Sequence, residues 1–167
     1  MKDTSGADGR YAGREVMGWR EWLALPDLSI KSIKAKIDTG ARTSALHAFD
    51  VEVFRRGGRE RVRFKVHPKQ RDSVRTVVAD VLLLDERVVR SSSGRAERRP
   101  VVLLHAKWKD HVWPIEVTLT RRDVMGFRML LGRQAIRGRF LVDPGRSYAG
   151  GRPPRKKKAS KKARAKS

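Results

Sequence analysis

Cysteine is absent from the 167 residues. Its absence excludes disulfides, thiolate zinc sites and cysteine nucleophiles, and it suits a reducing cytoplasm. Long apolar runs are missing as well. The longest, VLLL at 81–84 and VVLL at 101–104, are strand-sized and far short of the ~20 residues of a membrane span. The opening MKDTSGADGR holds no apolar stretch of the signal-peptide kind, so the expectation is a cytoplasmic chain with no membrane partner. Acids are scarce: 18 Asp and Glu stand against 40 Lys and Arg, a net charge of +22. Nine of the cations fall after residue 151 with no acid among them, which leaves +13 on the remainder. Such a charge bears on partners and solubility and says nothing about fold.

What is present suits a single domain. Hydrophobic residues make up 39 %, enough for a core, and no internal repeat is visible. Residues 1–13 are polar and glycine-rich and read as a disordered arm. Residues 14–149 carry the apolar pattern of the domain. Residues 150–167 read as a disordered basic tail, expected to meet RNA or ribosome phosphates without sequence preference.

Period-two alternation dominates the middle. Ile33, Ala35 and Ile37 predict a half-buried strand ending on Asp38. Val51 and Val53, then Val62, Phe64 and Val66, predict a hairpin about Gly57-Gly58. TVVADVLLLDERVV (76–89) reads as strand and RSSSGRAERRP (90–100) as loop, with Ser91, Ser92, Ser93 and Gly94 a candidate flap tip. Residues 100–120 predict a second hairpin turning near Lys109-Asp110, with Ile115, Val117 and Leu119 alternating. Gly132 and Gly138 bound a short helix, and Pro144-Gly145 stops a last strand. The segment holding Trp19, Trp22, Leu23 and Leu25 fits a strand or a helical face equally well. The tryptophans read as packing residues, with Trp108 in AKWKDH the one having the setting of a nucleic-acid stacking platform.

Two stretches carry chemistry. IDTGARTSAL (37–46) is an apolar strand running into Asp38-Thr39-Gly40-Ala41, and MLLGR (129–133) is an apolar strand ending on glycine. In an all-β chain this pair resembles the retropepsin-type aspartic proteases. The match is closer to the family labelled ATP-dependent zinc proteases, whose members occur alone or joined to RimK-type ATP-grasp ligases. Segments from GWREWLALPDL through WPIEVTLTRRDVMGFRMLLGR to RGRFLVDPGRS carry that resemblance over roughly residues 15 to 149.

The resemblance implies a small closed acid-protease barrel, all-β, with one short helix near the C-terminal end. It implies that Asp38 is catalytic, that Thr39 buttresses it, and that Gly40 allows the sharp turn. Leu130, Leu131 and Gly132 would be the supporting layer, and Ala41 would line the substrate cleft. Peptide hydrolysis by carboxylates needs two of them sharing one proton, yet the chain holds one Asp-Thr-Gly. The near miss KDTSG at 2–6 has Ser5 between Thr4 and Gly6. A homodimer would supply the second Asp38 across a two-fold axis. In retroviral relatives the arginine after the support glycine pairs with an acid four residues beyond the catalytic Asp. Here that position is Arg42, so Arg133 must find another partner or face substrate. Together Arg42 and Arg133 would favour an acidic or glutamate-tailed peptide, which suits a partner ATP-grasp glutamate ligase.

Other readings stand beside this one. Asp and Gly are common where a strand ends in a turn. A zinc site could use Asp38 and His47, with His67 as a third ligand, although three ligands and an open position are needed and no H-E-x-x-H occurs. His105 and His111 read as exposed residues flanking a hairpin tip. The main reading requires no cofactor, and no P-loop marks an ATP site in this chain. A basic module that binds ribosome or RNA without catalysis is the third reading.

Overall fold

A computed structural model describes residues 9–69, 75–90, 93–121 and 126–154. KDTSG, Ser91, Ser92 and most of the basic tail lie outside the described residues. Strands come in chain order as β1 (Val16–Met17), β2 (Arg20–Leu25), β3 (Ile30–Asp38), β4 (Ser44–His47), β5 (Phe49–Arg56) and β6 (Arg59–Val66). They continue as β7 (Val77–Leu82), β8 (Asp85–Arg90), β9 (Ala96–Trp108), β10 (His111–Thr120) and β11 (Met129–Gly132). One helical turn, α1 (Arg133–Ile136), and β12 (Leu141–Val142) follow, and 3-10 turns lie at Gly9–Tyr11 and Pro26–Leu28.

Alternation builds the barrel. In β2 the buried positions are Glu21, Leu23 and Leu25; in β3 they include Ile33, Ala35 and Ile37. The Trp19–Leu25 ambiguity therefore resolves as strand. The 3-10 turn Pro26–Leu28 reverses the chain, with Ser29 in the left-handed region at φ 54°. β3 then returns antiparallel to β2, Arg20 opposite Lys36. The sheet runs β10-β4-β11-β3-β2-β9, and the β9–β10 hairpin joins its two ends. Six strands thus form a closed ring, which leaves no open edge among them. β2 and β9 meet through one bridge, Ala24 to Lys107. The result is an all-β, retropepsin-like small barrel with a lone short helix.

A three-stranded sheet, β5-β6-β7, turns Val62, Phe64 and Val66 inward. Its Gly57-Gly58 turn has both glycines at positive φ, 61° and 76°, where a side chain would be strained. On its outer face Arg61, Arg56 and Arg63 converge on Asp80. The hydrogen bond from Arg61, then that from Arg56, holds the Asp80 carboxyl below its ordinary value.

Three expectations change. TVVADVLLLDERVV is two strands in different sheets, with Leu83 bonding Glu60 and Leu84 bonding Val101 at the crossing. The charged stretch 90–100 is mostly strand: Arg90 closes β8 and Ala96–Pro100 opens β9, paired row by row. Its charge reports a ribbon wet on both faces, which composition cannot tell from a loop. Trp108 is 1 % exposed, so it is no stacking platform for nucleic acid.

Trp108 belongs to a buried polar knot. Its Nε1–H donates to Glu21, whose carboxylate also accepts from the backbone N–H groups of Gly18, Ala149 and Gly150 at 2.6–3.0 Å. Glu21 faces inward on β2 and is fully buried. Four donors satisfy it, as burial of a carboxylate requires. The knot ties β2, β9 and the closing segment after β12 together. That segment crosses the barrel with Trp19 N–H bonding Arg146 and Tyr148 N–H bonding Arg20. A Cβ at Gly150 would stand 2.3 Å from Trp108 Nε1.

Candidate active site

β11 lies between β3 and β4, parallel to the first and antiparallel to the second. Chain direction then forces the 39–43 loop across the C-terminal end of β11. Asp38 stands opposite Gly132, Ile37 opposite Leu131 and Lys36 opposite Leu130. The MLLG strand thus lies directly beside the end of β3, with Leu131 and Gly132 buried and Leu130 half-buried.

Backbone bonds staple the loop to the strand beneath it. Arg133 N–H donates to Ala41 O at 2.7 Å and Gln134 N–H to Arg42 O at 3.1 Å. Gly132 N–H donates to Ser44 Oγ at 3.0 Å, and Thr118 Oγ1 donates to Ser44 O at 3.2 Å. A Cβ on Gly132 would sit 2.4 Å from the Thr43 carbonyl carbon and 2.5 Å from its oxygen. Only glycine allows that approach. Gly132→Ala is expected to destabilise the fold by about 2–3 kcal/mol, since overpacking against backbone finds no relief in a rotamer. Chemical denaturation measures it; a midpoint equal to the parent's would mean the loop is free to rise.

The Asp38 carboxylate is oriented by its own turn. Oδ1 accepts the N–H of Gly40 at 3.1 Å and of Ala41 at 3.0 Å. Oδ2 has no partner among the described residues. Asp38 is half-buried while Thr39 and Gly40 are exposed. An Asx-type turn thus holds one oxygen and leaves the other presented to solvent, or to a second molecule. Two oxygens in unlike settings suit a carboxylate that exchanges a proton with water.

The expected repulsion between Arg42 and Arg133 has a local answer. Arg133 turns its guanidinium to the Thr39 carbonyl, Nη1 donating at 3.1 Å. It braces the Asp-Thr-Gly turn from below while remaining exposed. Arg42 is exposed on the loop and has no carboxylate partner among the described residues.

The structure does not bring His47 to Asp38. His47 closes β4 at the far end of β11, its N–H bonded to Arg128 O. Four strand residues separate that level from Gly132, about 13 Å at ~3.3 Å per residue. Its ring nitrogens lie 3.2 Å from Arg128 Nη1 and 3.1 Å from Arg121 O. His67 sits in the other sheet against Phe49, with Nδ1 3.3 Å from Thr76 Oγ1. His105 meets Asp27, and His111 meets Glu15. Among the described residues no three His, Cys, Asp or Glu side chains converge. The donor set proposed for zinc does not fit one ion.

Two residues of consequence carried no motif. Ser44 lies inside the quoted stretch, yet nothing in SAL marks its hydroxyl as the acceptor for Gly132. Glu21 could have been found by extending the period-two count of Leu23 and Leu25 one step back.

A family model described as RimB-like, "Retropepsin-like aspartic endopeptidase RimB", matches residues 16–153. Three curated relatives carry the name "Probable alpha-L-glutamate ligase". The Desulfotalea psychrophila protein is 44 % identical over 131 residues, covering 78 % of this chain and 28 % of that one. The Parasynechococcus marenigrum protein is 45 % identical over 133 residues, covering 80 % and 28 %. The Shewanella halifaxensis protein is 41 % identical over 133 residues, covering 80 % and 29 %. The chain therefore spans less than a third of the length of these relatives. Among solved structures, a crystal structure of a Legionella pneumophila protein of unknown function superposes with a TM-score of 0.68 at 29 % identity. The match covers 81 % of this chain and 98 % of that one.

Proposed function

The chain belongs to the RimB-like family of retropepsin-like aspartic endopeptidases, and from that premise we propose that it hydrolyses peptide bonds between the Asp38 carboxylates of two copies. The observation that carries the proposal is the Asp38 carboxylate itself. One oxygen is pinned by two backbone N–H groups and the other is uncommitted, on a turn braced by β11. A single Asp-Thr-Gly can provide only half of an aspartic site, and a two-fold axis provides the rest.

In that pair, one Asp38 is ionised and its twin protonated, because like charges so close do not both ionise. The ionised carboxylate takes a proton from a water molecule. The water oxygen bonds to the peptide carbonyl carbon as the twin donates its proton to the carbonyl oxygen. Collapse of the resulting diol breaks the C–N bond: the Asp38 that took the proton from water gives it to the leaving nitrogen, and a diol hydroxyl returns a proton to its twin as the carboxyl product forms. No cofactor enters these steps, and since Asp38 and His47 stand apart, none is routed through zinc.

Acidic peptides are the substrate class we favour. Arg42 and Arg133 are both exposed, one on the 39–43 loop and one against the Thr39 carbonyl, and guanidinium groups bind carboxylates well. The glutamate-ligase names of the relatives agree with a glutamate-tailed substrate and with an ATP-grasp ligase as working partner, in the cytoplasm. Sedimentation together with a peptide-library assay tests the proposal. Specific activity should rise with chain concentration as dimer forms, and excess chelator should leave it unchanged. Full activity in a chain that sediments only as monomer would defeat it.

A further inference from the structure

β3 sends alternate side chains to opposite faces. Ile33, Ala35 and Ile37 point into the barrel, so Lys36 and Asp38 share the outer face. Lys36 is one alternate position from Asp38, about 7 Å along the strand. Its neighbours across the sheet are Leu130 on β11 and Arg20 on β2.

Two cations directly opposite each other on antiparallel strands cost stability. Arg20 has withdrawn from this pairing. Its guanidinium lies over the rings of Trp19 and Tyr148, 4.6 and 4.7 Å from their centroids, and Nε donates to Ser147 Oγ at 3.3 Å. Lys34, further along the same face, lies over Phe127 at 5.2 Å. Lys36 has neither outlet. Among the described residues no carboxylate pairs with it and no aromatic ring receives it. It is nonetheless half-buried, where a charge is screened less than at an open surface. A rigid strand therefore presents an uncommitted ammonium group beside the Asp38 carboxylate. Arg42 and Arg133 lie beyond Asp38 in the chain, and Lys36 lies before it.

We propose that Lys36 is a specificity-determining residue of the peptidase, holding the side-chain carboxylate of the substrate residue two positions from the one seated over Asp38. The inference rests on the peptidase reading of Asp38. An extended substrate repeats its side chains on one face about every 7 Å, which matches the offset from Asp38 to Lys36. The ammonium would bind the carboxylate as a compact point charge, and the Leu130 side chain would border the aliphatic part. A glutamine in the same place would leave the ammonium unmatched, which is how a polar site rejects a near-isostere.

Paired peptides that differ only by Glu or Gln two positions from the residue flanking the cleaved bond test the inference in the full-length chain. The parent should prefer the Glu peptide. Lys36→Met should lower kcat/KM for it by about tenfold, mainly through KM, while leaving the Gln peptide nearly unchanged. Lys36→Glu should shift preference to a Lys-containing peptide. Circular dichroism of each variant checks that the strand is intact. An unchanged Glu-to-Gln ratio in both folded variants overturns the inference and leaves the peptidase reading standing. Binding separates the two ideas further. A fluorescent hexaglutamate peptide should bind the Asp38→Asn chain about tenfold more weakly once Lys36→Glu is added. If the parent cleaves nothing, the peptidase reading fails. Equal anisotropy curves with and without Lys36→Glu then overturn acid recognition by Lys36 as well.

Discussion

Asp38→Asn is expected to lower peptide cleavage by at least about a thousandfold, the scale of losing a positioned acid and base together, while the protein remains as stable as its parent. The second half of that expectation comes from the turn. Asn keeps an Oδ1 that can accept the Gly40 and Ala41 N–H groups, so the Asp-Thr-Gly loop retains its geometry. What disappears is the capacity to take a proton from water and return it. Subunit mixing makes the effect more telling. If each site draws one Asp38 from each chain, equal amounts of parent and variant leave only about a quarter of the dimers fully equipped. Activity should then follow the square of the parent fraction. A linear dependence would mean that each chain works alone, and retained cleavage in the pure variant would remove Asp38 from the chemistry.

Glu21→Ala should produce the largest loss of stability of any single substitution considered, about 3–5 kcal/mol. Four N–H donors lose their acceptor at once, the buried ones of Gly18 and Trp108 and the partly buried ones of Ala149 and Gly150. Glu21→Gln is the instructive companion. It keeps the volume, but whichever way the amide turns, its NH2 faces two N–H donors. Gly18 and Ala149 address one carboxylate oxygen, and Trp108 and Gly150 the other. A loss of about 1–3 kcal/mol follows. Denaturant unfolding of both variants tests the order. Were Gln as damaging as Ala, the cavity and the orphaned donors would not be the dominant costs. Were neither damaging, the knot would not be holding the closing segment.

The strands with one wet and one buried face were legible because period two is a local signal. Ile33, Ala35, Ile37, then Asp38, could be placed on a strand end from ten residues. So could the hairpin at Lys109-Asp110. The support strand was legible only through its resemblance, since nothing local in MLLGR says which strand it joins. What stayed hidden is what long-range pairing decides. The 39–43 loop is held by backbone N–H groups of residues 133 and 134, and backbone groups carry no letter. Trp108 sits among lysines in the sequence, yet Glu21 draws its indole inward from 87 residues away. His47 looked near enough to Asp38 in sequence to share a metal. The chain reverses between them, so nine residues of separation become opposite ends of one strand. The 90–100 stretch was misjudged for a related reason: charge predicts exposure, and an exposed ribbon can still be fully paired.

The brace between Arg133 and the Thr39 carbonyl joins residues 94 apart in the chain. During synthesis the Asp-Thr-Gly turn is made first, and the strand that supports it arrives last. At about 5–20 residues per second, that gap is roughly 5–20 s. Throughout it Asp38 has no β11 beneath it. The candidate site is therefore completed only after residue 133 has been added, however early its aspartate was made.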